Sequence, residues 1–338
     1  MQRICIGLPG KERLLIDPRR PFEIGFLLMP TEDSARGTFP HWTEMLALVR
    51  QAEALDYDSV WIPDHLIIDI PRPGARPEGA WEGWSLVAAL AAATDRITIG
   101  LLVSCTAFRN PALLAKMADT VDEISNGRLI LGLGAGWCEL EFRAFGYPFD
   151  HRIGRFEEAL TIVAGLLRNG YMDYKGAYHQ VQDCELRPRG PRSQGPPILV
   201  GSSSTGKRML RLAARHADIW NRDFDAVNPG FSPYSAEDLR ESQIRVDAAC
   251  AAIGRDPATL KRTAGVWVDL PMAPRREGWD ALTGTPDEIA AGLRVYADTG
   301  YSQVQVWLNQ PTIEAIEVFA PVLEGVRGET KGHGVIGS

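Results

Sequence analysis

Two adjacent side chains, Asp64 and His65, carry the chemistry of proton transfer, since a carboxylate beside an imidazole can act as a base or relay near neutral pH. The plainer reading has Asp64 capping a turn and His65 half-buried. Gly132, Gly134 and Gly136 form G-x-G-x-G just ahead of Trp137. With no Cβ in the way, a flat ring or a phosphate can lie against such a main chain. A tight corner needs the same glycines, and the spacing is not the G-x-G-x-x-G of a dinucleotide turn. Gly201, Ser202, Ser203, Ser204, Thr205, Gly206 and Lys207 bring hydroxyls and backbone N–H groups to the start of a helix, the makings of an anion site or of a solvated cap. Arg208 follows Lys207, so the run is not a nucleotide-binding P-loop. Trp61, Trp137, Trp220 and Trp307 fall at or near strand ends and could wall an aromatic pocket or fill the core. The six histidines form no H-x-H or H-E-x-x-H, and the cysteines form no C-x-x-C, so no metal is expected.

These residues sit on a repeating pattern. Apolar runs that read as buried strands lie at 22–29, 58–63, 96–104, 128–133, 196–202, 217–221, 263–270 and 302–308. Helical spacing of apolar residues lies at 41–55, 81–94, 111–125, 154–169, 204–216, 236–253, 285–299 and 312–326. Pro111 opens one helix and the Asn126-Gly127 pair closes it. Eight strands alternating with eight helices predict a single α/β domain, a (β/α)8 TIM barrel, over 21–327. An open doubly wound sheet competes, but eight strands close naturally. Residues 1–20 read as an extension and 328–338 as a flexible tail. Insertions follow strands two (67–80), four (138–153) and seven (including 275–279), and 173–183 reads as a hairpin. Barrel chemistry belongs at the C-terminal strand ends. That rule collects Asp64, His65, the G-x-G-x-G turn and the Gly201 segment on one rim.

Composition narrows the partners. The chain has 338 residues and a formal net charge of −7, with no basic block, so nucleic acid is not an expected partner. No apolar run is long enough to span a membrane, and the first residues lack the apolar core of a signal peptide. Five scattered cysteines fit free thiols in a reducing cytoplasm.

The longer runs RQAEALDYDSVWIPDHL, AAATDRITIGLLVSCTAFRNPALLAKMADTVDEISNGRLILGLGAGWCELEFRAFGYPF, PPILVGSS with MLRLAARHADIWN, and GTPDEIAAGLRVYADTGYSQVQVWL cover most of the chain. By these runs the sequence resembles the bacterial luciferase-like oxidoreductases, and within them the branch that uses coenzyme F420, a deazaflavin. The resemblance implies hydride transfer between the deazaflavin and a small organic substrate, with His65 handling the proton and Asp64 orienting it. It implies a non-proline cis peptide at Leu102-Val103 behind the ring, and Gly134 and its turn facing the cofactor. Trp137 and Glu141, in G-A-G-W-x-x-x-E, would line or support the substrate side. Gly201, Ser202, Ser203, Thr205 and Gly206 would hold the cofactor phosphate, although relatives usually carry a glycine pair where this segment is serine-rich. A homodimer is also implied. The same scaffold serves FMN-dependent monooxygenases that take reduced flavin from a separate reductase. A non-catalytic barrel that merely binds a flavin or deazaflavin is the reading from another class.

Overall fold

The computed structural model describes residue 20 and residues 22–32, 37–69, 76–203, 205–222, 234–272 and 280–328. The extension (apart from Arg20), the tail beyond Gly328, Ser204, residues 70–75 of the loop after strand two and residues 275–279 lie outside this set.

Eight parallel strands close on themselves: β1 (Glu23–Leu27), β2 (Ser59–Ile62), β3 (Thr98–Leu101), β4 (Leu129–Gly134), β5 (Ile198–Ser202), β6 (Ile219–Arg222), β7 (Lys261–Asp269) and β8 (Gln303–Leu308). Each pairs with the next, β4 pairs with β5, and β8 returns to β1, so the sheet is a barrel and the open-sheet alternative falls. Around it lie α1 (Trp42–Ala54), α2 (Gly83–Ala93), α3 (Pro111–Ile124), α4 (Glu139–Phe145), α5 (Arg152–Asn169), α6 (Lys207–His216), α7 (Ala236–Ala251), α8 (Pro286–Asp298) and α9 (Ile313–Gly328). The hairpin expected at 173–183 runs from Tyr171–Lys175 to Gln180–Glu185. Helix ends follow local chemistry. Asn110 accepts from the Ala112 and Leu113 N–H groups ahead of α3, and Thr285 with Glu288 forms a reciprocal capping box on α8.

The main apolar core lies between barrel and helices, and the barrel interior is filled separately. Along β8 the period of two sends Val304, Val306 and Leu308 outward into the helix-facing core. Gln303 and Gln305 form an inner chain of hydrogen bonds: Asn221 donates to Gln305, Gln305 to Gln303, and Gln303 to Ser59 and Glu23. Above this polar layer sits an apolar one, made of Leu27, Trp61, Ile130, Leu199, Ile219 and the stacked pair Trp267 and Trp307, 3.7 Å between centroids. The interior is therefore packed rather than open, and a barrel ligand would lie above it, at the rim. Among the described residues, no helix is long and apolar enough to cross a membrane.

Candidate active site

Strand β3 does not run straight into its rim. Gly100 pairs with Ile130 of β4, but further on Ser104 pairs with Leu133, so β3 carries one extra residue and bulges at Leu102 and Val103. The Leu102-Val103 peptide is cis, as the resemblance implies. Both residues are half-buried, and they pack on the apolar layer inside the barrel. The glycines beside the bulge have a specific task. A Cβ on Gly134 would lie well inside van der Waals contact with Val103 Cγ2, and one on Gly201 would come within 3.0 Å of Val103 Cγ1. The space freed at Gly134 and Gly201 is thus taken by Val103, and the face offered at the rim is the bulge itself. Gly136 differs: its φ of +74° is the left-handed conformation that glycine adopts without strain.

Asp64 is sealed beneath this bulge. Its carboxylate accepts from the Ser104 hydroxyl at 3.0 Å, from Cys105 N–H at 3.0 Å, and from both terminal nitrogens of Arg109 at 2.6 and 3.0 Å. Its side chain has no exposed surface. Arg109 also pairs with Glu82, the N-cap of α2, and Trp84 Nε1 donates to Ser104 Oγ at 3.0 Å. Burial works against the Arg109 charge, but the carboxylates of Asp64 and then Glu82 outweigh it and hold the guanidinium above its usual range. Burial also raises Glu82, but it is outweighed by bonds from the Ser85 hydroxyl and the first N–H groups of α2, then by Arg109, so its carboxyl stays below its usual range. Buried Cys105, with Asp64 and Glu141 nearby, is pushed up to about 12, so it stays a neutral thiol. Asp64 therefore does not orient His65.

Glu141 does. Its Oε1 lies 3.0 Å from His65 Nδ1, and its Oε2 accepts the Leu66 N–H at 3.0 Å. The Glu141 side chain is 1% exposed, that of His65 15%. Glu141 turns inward from the first turn of α4 rather than outward toward a substrate. The Trp137 ring meets the imidazole edge-on, 5.4 Å between centroids. Of the four tryptophans, Trp137 alone is half-exposed. Trp61 and Trp220 are fully buried and Trp307 is 8% exposed, so these three pack the barrel and no four-tryptophan wall exists. Strand periodicity turns Trp61 and Trp307 inward to the apolar layer and Trp220 outward toward the helices.

The Gly201 segment splits in two. Ser202 is buried and accepts from Trp220 Nε1 at 3.0 Å, so its hydroxyl is committed to the core. Ser203 and Thr205 are exposed, their hydroxyls 3.4 Å apart. Gly206 caps α6 without a side-chain oxygen, so no side chain of the cap satisfies the first-turn N–H groups. Ser104 ends the third predicted strand, but neither it nor Arg109 nor Glu82 belongs to a chemical motif that would single it out from the sequence. Among the described residues, no group of three or more His, Cys, Asp or Glu is placed to hold a metal ion.

Residues 22–270 match the luciferase-like monooxygenase family. The chain is 39% identical over 228 residues to the pyrimidine monooxygenase RutA of Methylorubrum extorquens, covering 64% of this chain and 59% of that one. It is 32% identical over 291 residues to the F420-dependent glucose-6-phosphate dehydrogenase of Amycolatopsis mediterranei, covering 75% and 85%. The chain spans about three fifths of the length of several curated relatives, that monooxygenase among them. In structure it superposes on an F420-dependent secondary alcohol dehydrogenase held with an F420-acetone adduct, with a TM-score of 0.73 at 16% identity over 90% of this chain and 99% of that one. The last likeness speaks for the barrel fold alone. The family match carries the classification: this chain belongs to the luciferase-like monooxygenase family.

Proposed function

Starting from membership of that family, we propose that this chain transfers a hydride between coenzyme F420 and a small organic substrate, with His65 exchanging the substrate's proton. The observation that carries this reading is the His65–Glu141 pair. A carboxylate accepts from both Leu66 N–H and Nδ1–H, which leaves Nε2 as the nitrogen for proton exchange. Glu141, itself held by Leu66 N–H, fixes the ring, Trp137 packs its edge, and partial exposure keeps it reachable. Asp64 acts at one remove, by holding Ser104 and so the bulge.

The residues present fit a flat ring and an anionic arm. The Leu102-Val103 bulge, packed from below and flanked by Gly134 and Gly201, offers a firm half-exposed face. Exposed Ser203 and Thr205, with the first turn of α6 beyond Gly206, would hold a phosphate. When bound, the deazaflavin supplies a two-electron hydride carrier at its carbon 5. The chain's tasks are to orient, to exclude water and to move one proton. A homodimer and a small-molecule substrate accompany this reading.

A second reading rests on the 39% identity to a pyrimidine monooxygenase. There the chain would take reduced FMN from a reductase and consume oxygen. The test is to titrate the apo-protein with reduced coenzyme F420 and with reduced FMN, then follow oxygen during turnover. Preferential F420 binding with no oxygen uptake supports the first reading. FMN preference with oxygen uptake replaces it. Binding with no turnover across a broad substrate screen points to a binding barrel.

A further inference from the structure

The insertion between β4 and α5 is closed at its neck by one side chain. Arg152, the first residue of α5, reaches back 16 residues and donates from Nη1 to Gly136 O at 2.6 Å. Its guanidinium also stacks over the Phe149 ring, 4.3 Å from the centroid. Among the described residues no carboxylate pairs with Arg152, so its charge is directed to the carbonyl and the ring. Arg155, three residues further along the same helix, turns elsewhere. It pairs with Asp150 at 3.1 Å and lies over Tyr178, 4.6 Å from the centroid.

Both contacts of Arg152 lead toward His65. The Gly136 carbonyl and the Trp137 nitrogen share one planar peptide, so holding the oxygen holds the plane from which Trp137 departs toward the imidazole. The other side of this turn is already seated: a Cβ on Gly136 would come 2.7 Å from Cys105 Sγ and 2.7 Å from Phe142 Cζ. The second contact runs through rings. Phe149 meets Phe142 edge-on at 5.1 Å, and Phe142 is fully buried on α4, next in sequence to Glu141. A helix of seven residues is too short to hold itself in water. The position of α4, and with it of the carboxylate that faces His65 Nδ1, therefore depends on what packs against it. Arg152 thus backs both neighbours of the imidazole, Trp137 and Glu141, from outside the site.

We propose that Arg152 is a positioning residue of the candidate site: by holding the Gly136–Trp137 peptide and, through Phe149 and Phe142, the helix that carries Glu141, it keeps His65 in its Nδ1–H form. The inference rests on the reading of His65 as the proton-exchanging group and deepens it. A free neutral imidazole favours the Nε2–H form, which has no proton to give a carboxylate at Nδ1 and offers no acceptor at Nε2. The carboxylate of Glu141 reverses that preference only while it stays within hydrogen-bond reach of Nδ1. A small drift of α4 or of the Trp137 peptide would therefore change which nitrogen can accept a proton, although Arg152 itself meets neither substrate nor imidazole.

The experiment is nitrogen NMR of the full chain carrying isotope-labelled histidine, at about pH 8, where a histidine of ordinary pKa is neutral. The ring-nitrogen shifts distinguish the two tautomers, and the signals lost in His65→Ala assign His65. The proteins compared are the natural chain, Arg152→Ala, Arg152→Met, Arg152→Lys and Arg155→Ala, each checked for folding by thermal unfolding. The natural chain should show His65 as Nδ1–H. Arg152→Ala should move the tautomer ratio about tenfold toward Nε2–H, the size of effect expected from losing one charge-assisted hydrogen bond. Arg152→Met keeps a stem against Phe149 without the donor, and carries the test if the Ala variant does not fold. Arg152→Lys keeps a charged donor for Gly136 O and should restore most of the Nδ1–H form. Arg155→Ala should leave it as in the natural chain. A folded Arg152→Ala or Arg152→Met protein that keeps His65 as Nδ1–H overturns the proposal and leaves the His65–Glu141 reading standing, as does an equal shift in Arg155→Ala. If His65 is already Nε2–H in the natural chain, the His65–Glu141 reading fails and the Arg152 proposal falls with it.

Discussion

Asp64 and His65 leave the end of β2 as neighbours and enter two different environments. Asp64 enters a closed network in which Arg109, Ser104 and Cys105 N–H satisfy its carboxylate and Glu82 backs Arg109. His65 faces a half-open site with one firm partner, Glu141, and one packing neighbour, Trp137. The difference teaches how a rim can be rigid on one side and open on the other: the buried charge cluster holds the bulge, and the His65–Glu141 pair leaves the imidazole partly exposed.

The largest expected effect comes from breaking the closed side. Asp64→Ala leaves Arg109 buried with its main partner gone, which should cost about 3–5 kcal/mol of stability, read as a large drop in the denaturant midpoint. If the variant unfolds at the same denaturant concentration as the natural protein, the network is not structural and the contrast collapses. On the open side, His65→Ala should lower turnover by on the order of a hundredfold or more with the unfolding midpoint nearly unchanged. Glu141→Gln keeps an acceptor for Leu66 N–H but removes the charge facing Nδ1. It should lower kcat by roughly tenfold with KM little changed. A loss of stability as large as that of Asp64→Ala would instead make Glu141 part of the scaffold.

The seam between the two regions can be tested at Gly134. Its Ala variant drives a methyl into Val103, so overpacking of about 1–3 kcal/mol is expected together with weaker cofactor binding. Normal binding in a destabilised Gly134→Ala protein would separate the bulge from the cofactor site. The smallest effect is a pH dependence. Glu82 has a folded-state pKa below its ordinary value. Its contribution is therefore present above the unfolded-state pKa, about 4.3, and is lost as pH falls through the lower folded value. Glu82→Gln should flatten the acid limb of the stability curve below about pH 4.3 and leave neutral pH stability within roughly a kcal/mol. An unchanged acid limb would remove Glu82 from the closed network.

Much of the frame was legible because it depends on short-range periodicity. Apolar runs and helical spacing locate all eight strands and the eight major helices, with edges shifted by a few residues. The helix expected from 154 begins at Arg152, because His151 adopts a left-handed φ of 51° just ahead of it. The short α4 was hidden within the 138–153 insertion, seven residues being too few to show a period. The rim position of Asp64, His65, the G-x-G-x-G turn and the Gly201 segment was legible as well, since strand ends are marked by where the apolar runs stop; Glu141 was pointed to only by the family resemblance.

What the sequence could not decide were the pairings. Asp64 sits beside His65 in the chain, but the acceptor for His65 comes from 76 residues away and the partner of Asp64 from 45. Nor could spacing show that the glycines of β4 and β5 clear room for Val103, a side chain on a third strand. Local sequence determined the elements and the edge at which they end, because periodicity and turn chemistry act over a few residues. Only barrel closure decided which charges meet, because register and the bulge in β3 set which side chains from distant segments share one small buried volume.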